Sequence, residues 1–385
     1  MPTPAATGAS AFAPEAPANA SDLRVVILSD AAPERNGVGA YYHDLVANLD
    51  SEVGCIELIS PHHGRRAWHS WLSLPLPGDS TQKLCLPAVR GIGRRVRAAR
   101  PQVLVAPTPG PYGLLAAYLS RRLRIPLVVG FHTHFHRLSH LYWNRVVGGI
   151  NRSYFDVSNR LLFRSASLVV ANSRDMIAEA ERIGTPATEL VGTPLPRDFV
   201  ETPPARLSGR VGRVLYAGRL AAEKNLDSVI QAARALPDIA FAVAGDGPQR
   251  DLVASAAARL PNLAYLGWLS RERMRSALDA ADMLVLPSHV ESFGTVALEA
   301  MARARIVMVS HGCGIADWPG LSRGMVTLGE DEPLAAGIRR IAGLDPAVLR
   351  RKADTARTAA LELNEWNLRH WLDLLRQQRR PARRG

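Results

Sequence analysis

The stretch MLVLPSHVESFGTVALEAMARARIVMV (Met283–Val309) holds a four-residue apolar run, a polar loop, a helix-patterned segment and a second four-residue apolar run. Met283–Leu286 and Ile306–Val309 are strand-length and rich in branched side chains, so both read as strands, and Val296–Ala304 between them reads as a helix. Strand, helix and strand in succession make a βαβ unit, whose two strands run parallel. The stretch therefore asks for a parallel sheet covered by helices.

The same grammar repeats outward. Val214–Ala217, Ala240–Ala244 and Leu263–Leu266 read as strands, separated by helical stretches at Leu226–Leu236, Gln249–Leu260 and Arg271–Ala280. Further upstream, Leu23–Leu28, Cys55–Ile59, Val103–Ala106, Leu127–Phe131 and Leu168–Ala171 form a second series, with helices that include Gly113–Leu123 and Arg174–Arg182. Between the two series, the ten residues from Glu201 to Arg210 are Pro-rich, polar and without periodicity, as an interdomain connector is. The expected fold class is α/β: two tandem Rossmann-like domains, 23–200 and 201–385, after an Ala- and Pro-rich flexible tail over 1–22. A length of 385 residues agrees, since domains of roughly 150 residues give two or three.

With 47% hydrophobic and 21% charged residues the chain can bury real cores, which excludes wholesale disorder and fibrous architectures. Its apolar runs are far shorter than the roughly 20 residues a bilayer span needs, so no integral membrane protein is expected. Three cysteines, Cys55, Cys85 and Cys313, are an odd number without paired spacing, which fits a reducing cytoplasm better than a disulfide framework or a zinc knuckle. Forty-seven Lys and Arg against 35 Asp and Glu leave a net charge of +12, concentrated at Arg90–Arg100 and Arg376–Arg384. Such charge attracts phosphates of any origin, but no helix-turn-helix or RNA-binding signature accompanies it, and a nucleic-acid partner is not expected.

In open α/β sheets ligands sit beyond the carboxyl ends of the strands, so the cleft between the domains is the place for chemistry. The first such loop, Asn36-Gly37-Val38-Gly39, leads into a helix expected to start near Tyr41. Its small residues permit close approach of a phosphate or sugar, or simply a tight turn. Tyr42 stands where a dinucleotide fingerprint would want a further glycine, which counts against a nicotinamide enzyme. Gly130-Phe131-His132-Thr133-His134-Phe135-His136 spaces three histidines alternately, but no nearby carboxylate or cysteine completes a zinc set. His132 alone, facing the cleft, is the stronger functional candidate.

Gly218-Arg219-Leu220 followed by Lys224 places two cations after a strand and just before a helix, where a diphosphate could be held, although an ordinary solvated pair would read the same way. Gly245-Asp246-Gly247 is a flexible turn after the next strand. In the opening stretch, Glu291 lies in the loop, Ser292 and Phe293 follow it, and Gly294, Thr295 and Val296 form the expected first helical turn, whose amides face the same cleft. Glu299 lies one turn on and leans back toward those amides, or else faces solvent.

Glu291 and Glu299, with seven residues between them that include Ser-Phe-Gly-Thr, together with Gly218-Arg219, Lys224, the Gly245 turn and Gly37, resemble the retaining glycosyltransferases of the GT-B fold, sequence family four. The resemblance runs over roughly residues 23 to 375 and is nearest the mannosyltransferase and glycolipid-forming branches through Pro107–Pro111 and Gly130–Thr133. It implies that Arg219 and Lys224 bind the donor diphosphate, Glu299 takes the ribose hydroxyls, Glu291 contacts the transferring sugar, His132 reaches that sugar from the opposite domain, and Gly37 leaves room for the diphosphate. It also implies a final helix, Glu365 to about Gln377, that crosses back onto the first domain. Asn36, Gly312-Cys313-Gly314 and Thr193–Pro196 depart from the family pattern, which bears on acceptor choice and hinge geometry.

The activity so implied is transfer of a hexose, mannose from GDP-mannose first and another sugar from a UDP-sugar second, to a lipid-linked or glycan acceptor. The nucleotide sugar is a co-substrate, and no cofactor or obligatory metal is expected, in keeping with the absence of an Asp-X-Asp motif. Trp68, Trp71, Leu72, Leu74 and Leu76, in a stretch expected to be irregular, and the Arg90–Arg100 cluster are candidates to touch an anionic membrane from the cytoplasmic side. A nucleotide-sugar epimerase of the same architecture and a nucleic-acid- or anion-binding protein are the competing classes.

Overall fold

The computed structural model describes residues 22–32, 37–61, 70–76, 79–132 and 145–379. Two parallel six-stranded sheets carry the chain. The first holds β1 (Arg24–Leu28), β2 (Cys55–Ile59), β5 (Val103–Ala106), β6 (Leu127–Gly130), β7 (Leu168–Ala171) and β8 (Thr188–Leu190) in the order β2-β1-β5-β6-β7-β8. The second holds β9 (Arg213–Ala217), β10 (Ala240–Ala244), β11 (Leu263–Gly267), β12 (Met283–Leu286), β13 (Ile306–Val309) and β14 (Met325–Thr327) in the order β11-β10-β9-β12-β13-β14. All neighbouring pairs in both sheets are parallel, as helical crossovers require. The central strands are buried on both faces, which is why Leu104, Val128, Val169, Leu284 and Val307 can be apolar without alternation.

In each sheet the order reverses beside the first strand, between β1 and β5 and again between β9 and β12. Such a reversal splays the adjoining loops apart and opens a crevice at the strands' carboxyl ends. Its walls are the residues after β1 and β5 in one half, and Gly218–Lys224 and Pro287–Gly294 in the other.

The elements differ from expectation in identifiable places. Each sheet gains a three-residue edge strand, β8 or β14, too short to produce an apolar run. The stretch expected to be irregular around Leu72 is instead an antiparallel hairpin, β3 (Ser70–Leu76) and β4 (Asp79–Pro87), whose turn signal is Pro77-Gly78 between two apolar runs. Trp68 and the Pro77-Gly78 turn itself lie outside the described residues. Helix α1 begins at Gly37 rather than near Tyr41 and runs to Leu49, so Gly37 and Gly39 are its first turn; Asn36 lies outside the described residues.

The remaining helices that position the site are α2 (Val89–Ala99), α3 (Pro111–Leu123), α4 (Arg145–Phe163), α5 (Arg174–Ile183), α6 (Arg197–Glu201), α7 (Leu226–Ala235), α8 (Arg250–Ala257), α9 (Arg271–Ala280), α10 (Thr295–Ala302), α11 (Pro319–Ser322), α12 (Leu334–Ala342) and α13 (Pro346–Gln378). Helix α13 is 33 residues long and starts far upstream of the expected Glu365. Leu349, Ala353 and Ala356 bury into the second core, whereas Trp371, Leu374 and Leu375 bury into the first. At about 1.5 Å per residue the helix spans roughly 50 Å, long enough to serve both. Between its two ends, Asn364 Oδ1 accepts the Leu195 amide at 2.8 Å, where the chain first leaves the amino-terminal sheet.

The connector is fixed rather than loose. Arg303, fully buried, forks onto Asp279 at 2.7 and 2.8 Å and donates to the carbonyls of Phe199, Thr202 and Pro203 at 3.1, 2.6 and 2.9 Å. Arg305 adds bonds to the Ala281 carbonyl at 3.0 Å and to that of Ala205. A guanidinium has five donors in a rigid fork, so one buried arginine can satisfy several carbonyls of a chain that has no sheet partner.

Candidate active site

The second half builds its wall from two loops pressed together. The Gly218 amide donates to the Ala244 carbonyl at 3.1 Å, Leu220 to Asp246 at 3.0 Å and Gln249 to Leu220 at 2.8 Å. A Cβ at Gly245 would stand 1.8 Å from the Gly218 carbonyl oxygen, so only glycine lets the turns meet. Arg219 is half-buried, and its carbonyl accepts the Tyr216 hydroxyl at 3.0 Å.

A short 3₁₀ turn, Ala222–Lys224, then lays Lys224 across the loop after β12. The His289 amide donates to the Glu223 carbonyl at 2.8 Å, and Asn225 Nδ2 to the Pro287 carbonyl at 3.2 Å. Lys224 Nζ thereby reaches Glu291 Oε2 at 2.6 Å, with the lysine side chain 13% and the glutamate 24% exposed. Burial pulls the ammonium down, but the Glu291 charge and hydrogen bond outweigh it and hold Lys224 above its ordinary value. Glu291 is fixed on its backbone as well, donating to Gly312 and accepting from Gly314, both at 2.9 Å.

Phe293, fully buried, packs edge-on to Trp318 at 6.0 Å and anchors the turn that follows. Gly294 is the cap of α10 rather than its first residue, with φ of 101°, a left-handed conformation that glycine tolerates. Thr295 and Val296 are half-buried, and their amides belong to the first turn, where a helix leaves its donors unused. Ser292 is half-buried beside them. Glu299, on the next turn, is flanked by buried Ala300 and Met301. Burial raises its carboxyl to about 8; Arg271 lowers it, while Asp44 and Asp198 raise it further.

The opposite half contributes His132, at the end of β6, 7% exposed and hydrogen-bonded through Nε2 to the Tyr42 hydroxyl at 2.9 Å. Burial lowers this imidazole to about 3, so it is neutral at physiological pH. His134 and His136 lie outside the described residues. Gly37 is exposed at the mouth of α1, and a Cβ there would meet nothing within 4 Å. Among the described residues, no hydrogen bond or ion pair joins His132 to Glu291, Arg219 or Lys224, and no group of three His, Cys, Asp or Glu side chains stands where a metal could be held.

Sequence reasoning missed the residues that join the halves and cap the first crevice. Asp30, just after β1, accepts the Thr108 hydroxyl at 2.6 Å and the Tyr112 amide at 2.8 Å, capping α3; burial raises it to about 6. An acidic residue directly after the opening strand is the signal that marks it. Arg271 forks onto Asp44 of α1 at 2.5 and 2.6 Å across the two halves, and nothing local in either segment announces the pairing.

Two parallel, doubly wound sheets in tandem define the GT-B class of architecture. Residues 36–196 match the family described as glycosyl transferase 4-like domain, and residues 205–340 that described as glycosyl transferases group 1. A glycogen synthase of Mycobacterium tuberculosis is 30% identical over 232 residues, 57% of this chain and 56% of that protein. A GDP-mannose-dependent alpha-(1-6)-phosphatidylinositol dimannoside mannosyltransferase of the same organism is 28% identical over 204 residues, 49% and 53% of the two chains. The chain thus matches about half the length of these curated relatives. The sucrose-phosphate synthase structure from Thermosynechococcus elongatus superposes with a TM-score of 0.71 at 16% identity, covering 92% of this chain and 98% of that one. The protein belongs to the group 1 glycosyltransferases, sequence family four, of the GT-B fold.

Proposed function

We propose that the protein transfers a hexose from a nucleoside-diphosphate sugar to an acceptor hydroxyl with retention of configuration. The observation that carries this reading is the Lys224–Glu291 pair at 2.6 Å, set beside the unused amides at the start of α10 at the sheet's switch point. A nucleoside diphosphate leaving an anomeric carbon builds negative charge on phosphate oxygens while the sugar becomes cation-like. Arg219, Lys224 and the Thr295 and Val296 amides would stabilise the first charge, and Glu291 the second. Glu299 would accept the ribose hydroxyls, Gly37 would admit the diphosphate, and His132 would bind the sugar from the other half as the halves close. The acceptor oxygen attacks the face the diphosphate leaves, and the departing phosphate takes its proton.

GDP-mannose is the preferred donor and a UDP-sugar the second, supported by the sequence likeness to a GDP-mannose-dependent relative. A lipid-linked acceptor at a membrane surface is favoured by the same likeness and by α2, which turns Arg90, Arg94 and Arg97 outward and buries Ile92 and Val96. No described helix is long and apolar enough to cross a membrane.

Thermal shifts with GDP and UDP identify the base, since the bound nucleotide stabilises the fold by mass action. Proton NMR of the product made from the matching donor then gives its anomeric configuration. Lys224→Ala is expected to lower turnover about 100- to 1,000-fold, the scale of a lost charge-stabilising donor. Turnover unchanged in that variant removes the site assignment, and an epimerised sugar nucleotide formed without acceptor replaces the transferase reading.

A further inference from the structure

The His132 imidazole is gripped on one nitrogen only. Tyr42 is fully buried on α1, and its hydroxyl, 2.9 Å from Nε2, has His132 as its hydrogen-bond partner. The neighbouring Tyr41 is tied elsewhere: it accepts Trp371 Nε1 at 2.6 Å and donates to the Gly192 carbonyl at 2.9 Å. The Tyr41 ring lies 4.9 Å from His132, the Tyr42 ring 5.6 Å, and the two tyrosines 4.8 Å from each other, so the imidazole packs against both rings in a three-ring cluster. Trp371 braces both tyrosines from the end of α13, at 6.3 and 6.1 Å. Gly130 makes room for the pair, since a Cβ there would stand 2.3 Å from the Tyr42 hydroxyl.

His132 Nδ1 is buried and, among the described residues, has no hydrogen-bond partner. If Nε2 carried the proton and donated to Tyr42, both the phenol proton and the Nδ1 lone pair would be left unmade. If the phenol donates to Nε2, the imidazole proton lies on Nδ1 and that single N–H is unmade. Buried polar groups avoid orphaned hydrogen bonds, so the second arrangement is favoured.

We propose that Tyr42 is a positioning residue that holds His132 in its Nδ1–H tautomer, so that the histidine offers the donor sugar a hydrogen-bond donor rather than a base. This deepens the function proposed above and rests on His132 being the sugar contact. Tyr42 sets which nitrogen carries the proton and touches no substrate. The arrangement pairs Nδ1–H with an acceptor oxygen of the sugar, and a neutral imidazole of this kind leaves the reaction's proton to the departing phosphate.

Two measurements on the full chain test the proposal. Nitrogen-15 NMR of histidine-labelled protein, with His132 identified by its loss in His132→Gln and by its failure to titrate down to pH 5, is expected to show a protonated Nδ1 in the wild type. In Tyr42→Phe the proton should move wholly or partly to Nε2. A wild-type proton on Nε2 overturns the proposal whatever the enzyme's activity. In the second measurement, Tyr42→Phe should lower kcat about tenfold, the scale of one hydrogen bond, with the donor KM unchanged. His132→Asn, whose amide nitrogen imitates Nδ1–H, should retain more activity than His132→Gln and be insensitive to Tyr42→Phe. An equal loss in the wild-type and His132→Asn backgrounds makes Tyr42 merely structural and also overturns it. If the wild type turns over no nucleotide sugar while its His132 proton sits on Nδ1, the transferase reading fails and the tautomer assignment stands.

Discussion

At the scale of single residues, burial acts on the titratable groups with opposite signs. Glu299 is raised to about 8 from 4.5, so its stabilising share is complete below pH 4.5 and is lost as pH rises through 8. Asp30, raised to about 6, has the same sign and a lower window. His132, lowered to about 3 from 6.5, contributes fully above pH 6.5 and loses its share as pH falls toward 3. Between pH 6.5 and 8 Glu299 therefore stands apart from the other two. Urea unfolding across that window is expected to show wild-type stability falling, relative to Glu299→Gln, by up to about 1 kcal/mol per pH unit. Parallel curves would mean that Glu299 is already ionised in the free protein. Since an ionised carboxylate accepts from ribose hydroxyls more strongly than a neutral carboxyl does, nucleotide affinity by calorimetry should rise over the same interval in the wild type and stay level in the variant.

At the scale of elements, the start of α10 and the connector depend on special residues. Gly294 caps α10 with φ of 101°, and a Cβ there has no close backbone neighbour, so the cost of Gly294→Ala is conformational rather than steric. That substitution is expected to cost about 1–3 kcal/mol and to weaken nucleotide binding through the displaced first-turn amides. Calorimetry and denaturant midpoints, compared in one variant, separate the two effects. Arg303→Met removes a fully buried guanidinium and with it the partner of the Asp279 carboxylate and of the Phe199, Thr202 and Pro203 carbonyls. About 3–5 kcal/mol of stability should be lost, read as a lower urea midpoint at constant slope. A midpoint within experimental scatter of the wild type would show that the connector is held by something other than this guanidinium.

At the scale of the molecule, contacts of different chemistry join the halves. Arg271 bridges to Asp44, Trp318 Nε1 donates to the Asn172 carbonyl at 3.1 Å, and Trp371 Nε1 donates to Tyr41. Asp44 is 6% and Arg271 35% exposed, so the pair is screened on the arginine side. A double-mutant cycle of Arg271→Ala and Asp44→Ala is expected to give a coupling of about 1 kcal/mol, and solution scattering of either single variant a larger radius of gyration. Unchanged dimensions would place the closure of the crevice with the two tryptophans instead. Arg271 also lowers Glu299, so its removal should shift the nucleotide-affinity profile toward higher pH.

Local pattern was enough to read the parallel sheets and to set Glu291, Gly294 and Glu299 on one loop and one helix after a strand. Apolar runs such as Leu168–Ala171 and Met283–Leu286 can be satisfied only between helix layers, and Glu291, Gly294 and Glu299 are placed by spacing along one loop and one helix. Short edge strands such as Thr188–Leu190 escaped because three residues exposed on one side carry no pattern. Pro77-Gly78 is a turn signal in the sequence, yet the stretch around it was expected to be irregular and forms the hairpin of β3 and β4. Only the tertiary structure decided that Arg271 meets Asp44, that Arg303 grips the connector, and that the last helix carries Trp371 onto the tyrosines beside His132. Range separates the two: periodicity and capping act over a few residues, whereas these partners lie 227, 101 and 330 positions apart along the chain.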